Sequence, residues 1–445
     1  MYNGHCIIHV KWTLEVFIMS IITIAEAAEL AGKSQKTIRR AVAAGKLKST
    51  KIQNKTRIEK SDFDEWFAKG CCGTEEQDNN VIRNDEVNWL DISDIWKLNG
   101  WDKKKDRSNY NFIDLFSGAG GLSCGLVMAG LNPIASVEIM PQAVATYERN
   151  FIHNKKFDEK VETRDIREQS VKENLYASVS GKHIDVIVGG FPCQGFSMAG
   201  YRVVDDPRNS LYKEMKDIVE HLKPDFVVME NVEGLRSMLN GKVEEMIIED
   251  YKKIGYKINL TVLNSADYYT PQTRHRVIFI GNRVGVTNYH PKPLLDEAHY
   301  KTVGDAIAKY LDIPEDKSIN HIFTKTSPSM QERLKAVPIG KSLYSNYSDA
   351  WKKVDWNKPS CTVKENHGGV NIHPILSRPM TPRELAELQS FPSDFIFEGS
   401  KKWQLVQIGN AVPCLLGKAI GLCLRKMLDD YNGKKAIKVK TIEAE

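Results

Sequence analysis

Short apolar runs that end in glycine or a carboxylate recur along residues 110–283, and they constrain the fold more than any other feature. Three of them are Asn111-Phe-Ile-Asp-Leu-Phe116, Ile134-Ala-Ser-Val-Glu138 and His183-Ile-Asp-Val-Ile-Val-Gly-Gly190. Segments with helical periodicity separate the runs. Continuous apolar runs of this length are typical of buried parallel strands with helices on both faces. We therefore predict an α/β fold with a doubly wound sheet.

Composition excludes several classes of protein. The chain has 445 residues, 42% of them hydrophobic, which is enough for a large core and more than one domain. Its eight cysteines include no C-x-x-C pair, so we expect a reduced protein without structural zinc or another metal site. No apolar run approaches membrane-spanning length and no signal peptide is evident, so we expect a cytoplasmic protein with no membrane contact.

The basic charge is concentrated near the N-terminus, where residues 20–70 contain 11 Lys and Arg against 6 Asp and Glu. Two short helical patterns there precede a hairpin pattern around Asn54 and a last helix. This block resembles the winged helix-turn-helix of excisionases and MerR-type regulators. The resemblance implies that the second helix presents Arg39 and Arg40 to DNA, beside Ser34, Gln35 and Lys36. A protein-docking bundle would carry the same pattern and stays an alternative.

Changes in pattern along the chain predict its organisation. Residues 1–19 are expected to be an upstream extension, untranslated or disordered, with Met19 as a candidate start. We then predict a winged helix-turn-helix at 20–69, a linker at 70–108, a block of alternating strands and helices at 109–283, a less regular region at 284–377, a helical region at 378–428 and a tail at 429–445. The segment Trp89–Trp96 within the linker could form a short docked helix.

A glycine loop and two carboxylates predict an adenosine pocket. Ser117-Gly-Ala-Gly-Gly-Leu-Ser-Cys-Gly125 joins the first strand to a helix, an arrangement that lets a ligand approach the backbone. Glu138 ends the second strand, where a carboxylate can accept both ribose hydroxyls, and Asp165 could accept from an adenine amine. S-adenosylmethionine fits because no Lys-Ser/Thr phosphate clamp is present. Either carboxylate alone would be an ordinary loop carboxylate or helix cap.

A second group of residues predicts a reactive pocket. Cys193 follows the apolar run that ends at Gly190, so its thiol would lie at the carboxyl edge of the sheet, where it can act as a nucleophile. Glu230 ends the next apolar run and would share this crevice. Arg274 and Arg276, two residues apart in an extended segment, would point to one face and could hold a phosphate or a pyrimidine carbonyl. A buried structural cysteine and two surface arginines are the alternatives.

Six blocks in a fixed order carry a family resemblance. They are Asp114-Leu-Phe-Ser-Gly-Ala-Gly-Gly121, Gly189-Gly-Phe-Pro-Cys-Gln-Gly-Phe-Ser197, Glu230-Asn-Val232, Gln272-x-Arg-x-Arg276, Arg383-Glu-Leu-Ala-x-Leu-Gln389-x-Phe-Pro392 and Gln407-Ile-Gly-Asn-Ala-Val-Pro413. In this order, over residues 110–428, they resemble the DNA (cytosine-5) methyltransferases. The resemblance implies an S-adenosylmethionine-dependent, Rossmann-like domain that methylates cytosine at C5 in a specific duplex DNA site after flipping the base. It also implies that 109–283 and 378–428 form the catalytic domain and that 284–377 is a smaller target-recognition region.

The resemblance also implies a role for each matching residue. Cys193 would add to C6 of the cytosine, Glu230 would contact N3 and the exocyclic amine, and Arg276, with Arg274 alongside, would contact the base or steady its loop. Gln194, Ser197 and Thr362 would contact DNA. The cofactor would be held by Phe116, Ser117, Gly118, Gly120, Gly121, Leu122, Glu138, Asp165, Ile166, Pro192 and Asn410.

Three functions remain compatible with the sequence. The favoured one is the modification enzyme of a restriction-modification system, acting on the same site as a restriction endonuclease, whose helix-turn-helix represses its own promoter. A DNA-binding regulator with a vestigial methylase body is the second, although Cys193, Glu230, Glu138 and Asp165 are all intact. The third is an enzyme of the same fold that acts on tRNA, which the basic N-terminal block makes less favourable than DNA.

Overall fold

The computed structural model describes residues 21–31, 35–43, 45, 47–52, 55–68, 87–192, 211–344, 351–365 and 370–442. The chain divides into two compact units, Met1–Val81 and Ile82–Glu445. The predicted extension at 1–19 and part of the predicted linker lie outside the described residues.

The first unit combines short helices with a small antiparallel sheet. Its elements are β1 (Ile21–Thr23), α1 (Ile24–Leu30), α2 (Gln35–Ala43), β2 (Thr50–Ile52), β3 (Lys55–Glu59) and α3 (Lys60–Ala68). Strand β3 lies between β1 and β2, which confirms the predicted hairpin. Thr23 caps α1 through reciprocal hydrogen bonds with Glu26. Ile38, Ile58 and Phe63 pack together in the core, so the helices and the hairpin form one folded unit.

The second unit alternates strands and helices before a more irregular region and a helical end. Its first part contains β4 (Asn88–Leu90), β5 (Asn111–Leu115), α4 (Gly121–Met128), β6 (Asn132–Val137), α5 (Pro141–Tyr147), β7 (Lys160–Glu162), α6 (Gln169–Ser178), β8 (Val186–Gly189), α7 (Leu211–Leu222), β9 (Phe226–Val232), α8 (Lys242–Lys253), β10 (Lys257–Asn264) and β11 (His275–Asn282). The remainder contains β12 (Tyr289–Pro291), α9 (Val303–Ile307), α10 (Pro328–Ala336), α11 (Pro382–Leu388), α12 (Lys401–Asn410) and α13 (Cys414–Ile442).

A seven-stranded sheet organises the second unit, with the strand order β10-β11-β9-β8-β5-β6-β7. Neighbouring strands from β9 to β7 are parallel, whereas β11 runs antiparallel between β9 and β10. The chain leaves β5 toward β6 and β7 on one side and then returns to β8 and β9 on the other. This reversal between β5 and β8 is the switch point of a doubly wound sheet. The predicted fold is confirmed, and the antiparallel β11 is an addition that the apolar pattern did not reveal.

Both faces of the sheet are buried, which explains the continuous apolar runs in the sequence. Phe112, Val186 and Val188 belong to one core cluster, and Ile113 and Ile187 belong to the other. Successive side chains on a strand point to opposite faces, so a run buried on both sides has no polar alternation.

Helices α4 and α13 pack on the first of these faces in backbone contact. A Cβ atom at Gly125 would lie 2.3 Å from the Cys414 carbonyl oxygen, and one at Gly417 would lie 3.3 Å from the Gly125 Cα atom. The helix that follows the glycine loop is therefore supported directly by the last helix of the chain.

The predicted linker at 70–108 was too long. Strand β4 pairs in parallel with β12, and Ile92 and Trp101 are buried in the main core. Trp96 stacks on Tyr269 with ring centroids 5.6 Å apart. Residues 87–108 are thus part of the second unit, and Trp89–Trp96 forms a strand and turns rather than a helix. The many charged residues of this segment obscured the few apolar side chains that anchor it.

The predicted recognition region and tail also differ from the structure in extent. Val303 and Ile307 of α9 lie in the main core, so the start of the 284–377 region belongs to the catalytic body. A separate small cluster contains Leu334, Val337 and Ile372. At the other end, α13 continues through Ile442, past the predicted boundary at 428.

One helical stretch of the described chain, Lys401–Gly433, is long and apolar enough to cross a membrane by length and composition. Its most apolar window is 89% buried within the protein, as in the core helix of a folded domain.

We expect removal of residues 1–81 to leave the thermal stability of the second unit unchanged, because the boundary between the units falls after Val81. Removal of residues 1–108 should greatly destabilise it, because Ile92 and Trp101 would be lost from the core. Thermal unfolding of both truncated proteins checks this. As a single-residue control, Trp101→Ala should lower the free energy of unfolding by about 3–5 kcal/mol. Equal stability of the two truncated proteins would contradict the assignment of 87–108 to the core.

Candidate active site

A large cavity opens at the carboxyl ends of the strands on either side of the switch point. Its volume is about 860 Å³, within the range of small-molecule sites. The structure brings most of the predicted site residues to its wall: Phe116, Ser117, Gly118, Gly121, Leu122, Glu138, Asp165, Ile166, Pro192, Glu230, Arg274, Arg276, Thr362 and Asn410. They come from separate parts of the sequence and meet because the parallel strands end at one edge.

The glycine loop between β5 and α4 needs glycine for two different reasons. Gly118 and Gly120 have positive φ angles, +54° and +88°, which favour glycine. A Cβ atom at Gly120 would also lie 2.6 Å from the Phe151 ring. At Gly121 the added carbon would lie 2.3 Å from the Val412 carbonyl oxygen. Gly120, predicted to bind the cofactor, is outside the cavity wall and instead lets the loop pack on the aromatic ring.

The loop also carries one buried polar atom that has no partner among the described residues. The Oγ atom of Ser117 is buried at the cavity wall, and no group in the described part of the chain bonds it. Phe116, immediately before it, has a φ angle of +61°, an uncommon value for a residue with a Cβ atom. A buried hydroxyl without a partner and a strained aromatic residue at one cavity wall are consistent with a ligand site.

Glu138 is fixed in the cavity wall by two backbone groups. The Gly118 N–H donates to Oε2 and the Met140 N–H donates to Oε1, both at 2.8 Å. Burial raises the pKa of this carboxyl, and the backbone hydrogen bonds oppose that rise. An ionised carboxylate has about four acceptor sites, more than the backbone groups of Gly118, Ile139 and Met140 use, so acceptor capacity remains for a hydroxyl group of a ligand. The predicted ribose-binding role is thus geometrically possible.

Asp165 carries a partner that the sequence did not predict. The Arg167 guanidinium donates to both carboxylate oxygens, with its Nε atom 2.9 Å from Oδ1 and 3.0 Å from Oδ2. Hydrogen bonding from Arg167 lowers the pKa of Asp165. Asp165 is therefore held ionised, as an acceptor of an amine must be, at the cavity wall.

A buried acidic network lies behind the glycine loop. Ser123 Oγ donates to Asp114 at 2.6 Å, and the Tyr147 hydroxyl lies 3.0 Å from Ser123 Oγ and 2.9 Å from Glu159 Oε1. Burial raises the pKa of Asp114 to about 7 and that of Glu159 to about 8. This network was not predicted, because Glu159 lies outside every recognised sequence block.

Glu230 and Arg276 form an ion pair on the opposite wall. Strand β11 runs antiparallel to β9, which brings Arg276 Nε to 2.8 Å from Glu230 Oε1, with both side chains 12% exposed. A Cβ atom at Gly190 would lie 3.1 Å from Glu230 Oε2, so the glycine leaves room for this carboxylate. Asn231 points the other way and donates to the Phe191 carbonyl at 2.9 Å. That bond anchors the strand end from which Pro192 and then Cys193 follow.

Cys193, Gln194 and Ser197 lie outside the described residues. Pro192, which precedes Cys193 in the sequence, lines the cavity.

Arg274, predicted to be catalytic, lines the cavity, but its guanidinium is bonded to backbone carbonyls. It is 3% exposed, and its two Nη atoms donate to the carbonyls of Val363 at 2.8 Å and Gly409 at 3.1 Å. Burial lowers the pKa of Arg274 to about 9, which leaves it charged at neutral pH. Its described partners are backbone carbonyls, whereas Arg276 is paired with a side chain of the cavity.

The chain is similar in sequence to a known family of enzymes. Residues 110–426 match the family model of C-5 cytosine-specific DNA methylases. The Type II methyltransferase M1.HphI of Haemophilus parahaemolyticus is 41% identical over 331 residues, which cover 71% of this chain and 87% of that protein. The chain belongs to the C-5 cytosine-specific DNA methylase family.

Two further relatives agree with that assignment. The Type II methyltransferase M.DdeI of Desulfomicrobium norvegicum is 33% identical to the methylase over 369 residues, covering 70% of this chain and 87% of that protein. A crystal structure described as a DNA modification methyltransferase encoded within an E. coli prophage has a TM-score of 0.61 and 27% identity, and covers 72% of this chain and 100% of that chain. The methylase is therefore a DNA (cytosine-5) methyltransferase whose family uses S-adenosylmethionine as methyl donor.

The first unit of the methylase matches a helix-turn-helix domain model over residues 21–71, which confirms the predicted N-terminal domain. Arg39 and Arg40 are exposed on α2, while Ile38 beside them is buried in the core of that unit. The two arginines thus lie on the solvent side of the second helix, as DNA contact requires.

A cluster of possible metal ligands lies away from the cavity, at the amino ends of β8 and β9. His183, Asp185 and Asp225 have ligand atoms within 4.8 Å of one another. His183 Nε2 is 3.0 Å from Asp225 Oδ2, and the Asn111 N–H donates to Asp185 at 2.7 Å, so the carboxylates have protein partners.

The acidic network should make the stability of the methylase depend on pH. Between the ordinary carboxyl pKa of about 4 and the raised values of Asp114 and Glu159, the folded state binds protons that the unfolded chain releases. The free energy of unfolding should therefore fall as pH rises from about 5 to about 8.5. Glu159→Gln should make that fall smaller, measured as the unfolding midpoint against pH. The exposed Glu249→Gln serves as control, and an unchanged slope in Glu159→Gln would contradict the prediction.

Proposed function

We propose that the methylase transfers the methyl group of S-adenosylmethionine to C5 of a cytosine in a specific duplex DNA site, through a covalent bond between Cys193 and C6. The observation that carries this proposal is the Glu230–Arg276 pair, which faces the cavity beside the strand end that leads to Cys193. The glycine loop and Glu138 form the other wall of the same cavity. A base and a cofactor held on these two walls would meet inside it.

The nucleophile in this proposal is the thiolate of Cys193. C5 of cytosine is a poor nucleophile until a thiolate adds to C6, which converts the C5–C6 double bond into an enamine. The new C5–methyl bond forms as the methyl–sulfur bond of the cofactor breaks. Loss of the C5 proton and expulsion of the thiolate then restore the aromatic ring and the free enzyme. Because a free Cys has a pKa of about 8.5, a base or the local environment must favour the thiolate.

Glu230 and Arg276 would handle the target base. Glu230 would contact N3 and the exocyclic amine, and a proton held between its carboxyl and N3 would draw electrons from C6 and favour thiolate attack. Arg276 fixes the orientation of that carboxyl through the 2.8 Å ion pair and leaves Oε2 directed toward Gly190. Asn231 would support the strand end through its bond to Phe191.

The cofactor would occupy the wall formed by the glycine loop. When bound, it supplies an electrophilic methyl group on a sulfonium. Phe116 would lie against the adenine, Glu138 would accept the ribose hydroxyls, Asp165 would accept the adenine amine and Asn410 would lie near the methionine part. The unpartnered Ser117 hydroxyl offers one further hydrogen bond. The proposed reaction uses no metal ion.

The target cytosine must leave the helix to reach this cavity, because C5 and C6 are stacked within the duplex. Flipping costs a few kcal/mol, which contacts in the pocket offset. We propose that Gln194, Ser197 and Thr362 contribute DNA contacts. Thr362 lines the cavity, where its hydroxyl donates to the Thr273 carbonyl at 3.1 Å, and this position supports the proposal.

Cys193→Ala should abolish methylation, and Cys193→Ser should reduce it by several orders of magnitude while S-adenosylmethionine binding stays nearly unchanged. Conversion-based sequencing of genomic DNA from a methylase-free host that expresses the chain measures the activity, and calorimetry measures cofactor binding. Methylated cytosines confined to one short motif, and absent with Cys193→Ala, are the expected result. A Cys193→Ser protein as active as the wild type would rule out the covalent mechanism, whereas unmethylated DNA from soluble wild-type protein would favour a regulator or a tRNA enzyme.

We further propose that the methylase is the modification enzyme of a restriction-modification system, acts in the cytoplasm and protects the site that a restriction endonuclease cuts. The Type II methyltransferases among its relatives support this. The helix-turn-helix unit would bind the promoter of its own gene and repress it, because its second helix carries two exposed arginines. No contact with the endonuclease is required.

Replacing Arg39 and Arg40 together by Ala should weaken promoter binding at least tenfold and leave methylation of the mapped site unchanged. The physical reason is the loss of two charged contacts from the DNA-facing side of α2. Gel-shift titration with the upstream DNA and sequencing-based methylation assays measure the two effects. Lys60→Ala, on α3 of the same unit, removes one positive charge outside α2 and serves as a control for a general loss of charge. A double variant that binds upstream DNA as tightly as wild type would exclude this role for α2.

A further inference from the structure

Three distant segments of the chain converge on the Arg274 side chain. One is the segment before β11 that carries Arg274 itself. The second is the stretch 360–365, where the Val363 carbonyl accepts from Arg274 Nη1 at 2.8 Å. The third is the end of α12, where the Gly409 carbonyl accepts from Arg274 Nη2 at 3.1 Å. Val363 is next to Thr362, which is proposed to contact DNA. Gly409 is next to Asn410, which is proposed to contact the cofactor.

The second and third segments also touch each other directly. A Cβ atom at Gly409 would lie 2.2 Å from the Glu365 backbone nitrogen and 2.3 Å from the Lys364 carbonyl carbon. The stretch 362–365 therefore packs against the backbone of α12 at the point where only glycine fits. A shift of the turn at 409–411 cannot leave 362–365 in place.

A buried amide network fixes the alignment of these segments. Gln272 Oε1 accepts from the Val363 N–H at 2.7 Å, and Gln272 Nε2 donates to Gln389 Oε1 at 2.8 Å. Gln389 Nε2 in turn donates to the Ile408 carbonyl at 2.7 Å. Arg274 adds a charged donor to this neutral network. Charge-assisted bonds in a buried site are the stronger kind, so Arg274 is its strongest member.

We propose that Arg274 is a positioning residue that couples the cofactor-facing turn at 409–411 to the DNA-facing stretch at 360–365. When the cofactor binds beside the turn at 409–411, the stretch 360–365 becomes more ordered, because one guanidinium bonds a carbonyl of each segment. This inference rests on the proposed function for the identity of the two ligands. It assigns Arg274 no contact with the base, in contrast to the catalytic role expected from its sequence motif.

The control is Arg383, a second buried arginine that donates to two backbone carbonyls and whose Nε atom also lies 3.6 Å from Glu387 Oε1. Its Nη1 atom donates to the carbonyls of Phe395 at 2.8 Å and Ser393 at 3.3 Å, and burial lowers its pKa as it does for Arg274. Arg383 does not line the cavity. Replacement of either arginine by lysine keeps the charge and removes guanidinium hydrogen bonds to backbone carbonyls. In Arg274 it also removes the planar fork that bonds two carbonyls through two nitrogen atoms. Both variants should lose stability, and only Arg274→Lys should lose the coupling between the turn at 409–411 and the stretch at 360–365.

The test is amide hydrogen exchange of the peptide covering 360–365, with and without S-adenosylhomocysteine, which lacks the reactive methyl group. In the wild type and in Arg383→Lys, saturating S-adenosylhomocysteine should slow exchange of this peptide about tenfold, a typical size for coupling between two sites. In Arg274→Lys the slowing should fall below about twofold at the same saturation. Of the two lysine variants, only Arg274→Lys should have a raised KM for DNA. Gly409→Ala perturbs the same contact between 409–411 and 362–365 without changing a charge, and it should also reduce the slowing of exchange.

The outcomes separate the coupling from the proposed function. Binding of S-adenosylhomocysteine without slower exchange in the wild type would overturn the coupling, as would equal slowing in Arg274→Lys. Equal loss in Arg383→Lys would overturn it too, because general destabilisation would then explain the effect. Wild-type protein that binds S-adenosylhomocysteine and shows the slowing, yet methylates no DNA, would support the coupling and contradict the proposed function.

Discussion

The reversal of strand order between β5 and β8 is the constraint on which the site depends. Because the chain moves outward on both sides of this point, the carboxyl ends of neighbouring strands leave a crevice that no crossover helix fills. Glu138 stands at the end of one strand and Glu230 at the end of another, on opposite walls of one cavity. The two carboxylates have separate environments there, one held by backbone N–H groups and one by an arginine.

The parallel sheet alone does not complete this cavity. Its remaining wall comes from residues far along the chain, Thr362 and Asn410, which buried amides and Arg274 hold against the strands. The amides of Gln272 and Gln389 and the guanidinium of Arg274 are buried, and loss of a hydrogen-bond partner at any of them would destabilise the fold. Because such a network tolerates few alternative arrangements, it can hold separate segments in one fixed relative position.

The sequence was informative where a local pattern determines local structure. Apolar runs predicted the strands, and the glycine loop, Glu138, Asp165 and Glu230 were all located at strand ends that do line one cavity. It was less informative where position depends on distant contacts. Arg274 and Arg276 share a motif, yet only the pairing of β11 with β9 shows that one meets Glu230 and the other meets carbonyls. Glu159, Arg167 and the core residues of 87–108 carried no recognisable spacing, because their partners lie elsewhere in the fold.

The contact between α4 and α13 has a consequence for how the protein is made. The helix that begins at the glycine loop is synthesised early, but the glycines that let it pack, Gly417 and Gly421, emerge from the ribosome almost three hundred residues later. Until then the face of this helix that meets α13 is uncovered. The nascent chain therefore carries an unfinished core for most of its synthesis, and the helix after the glycine loop gains this support only when translation is nearly over.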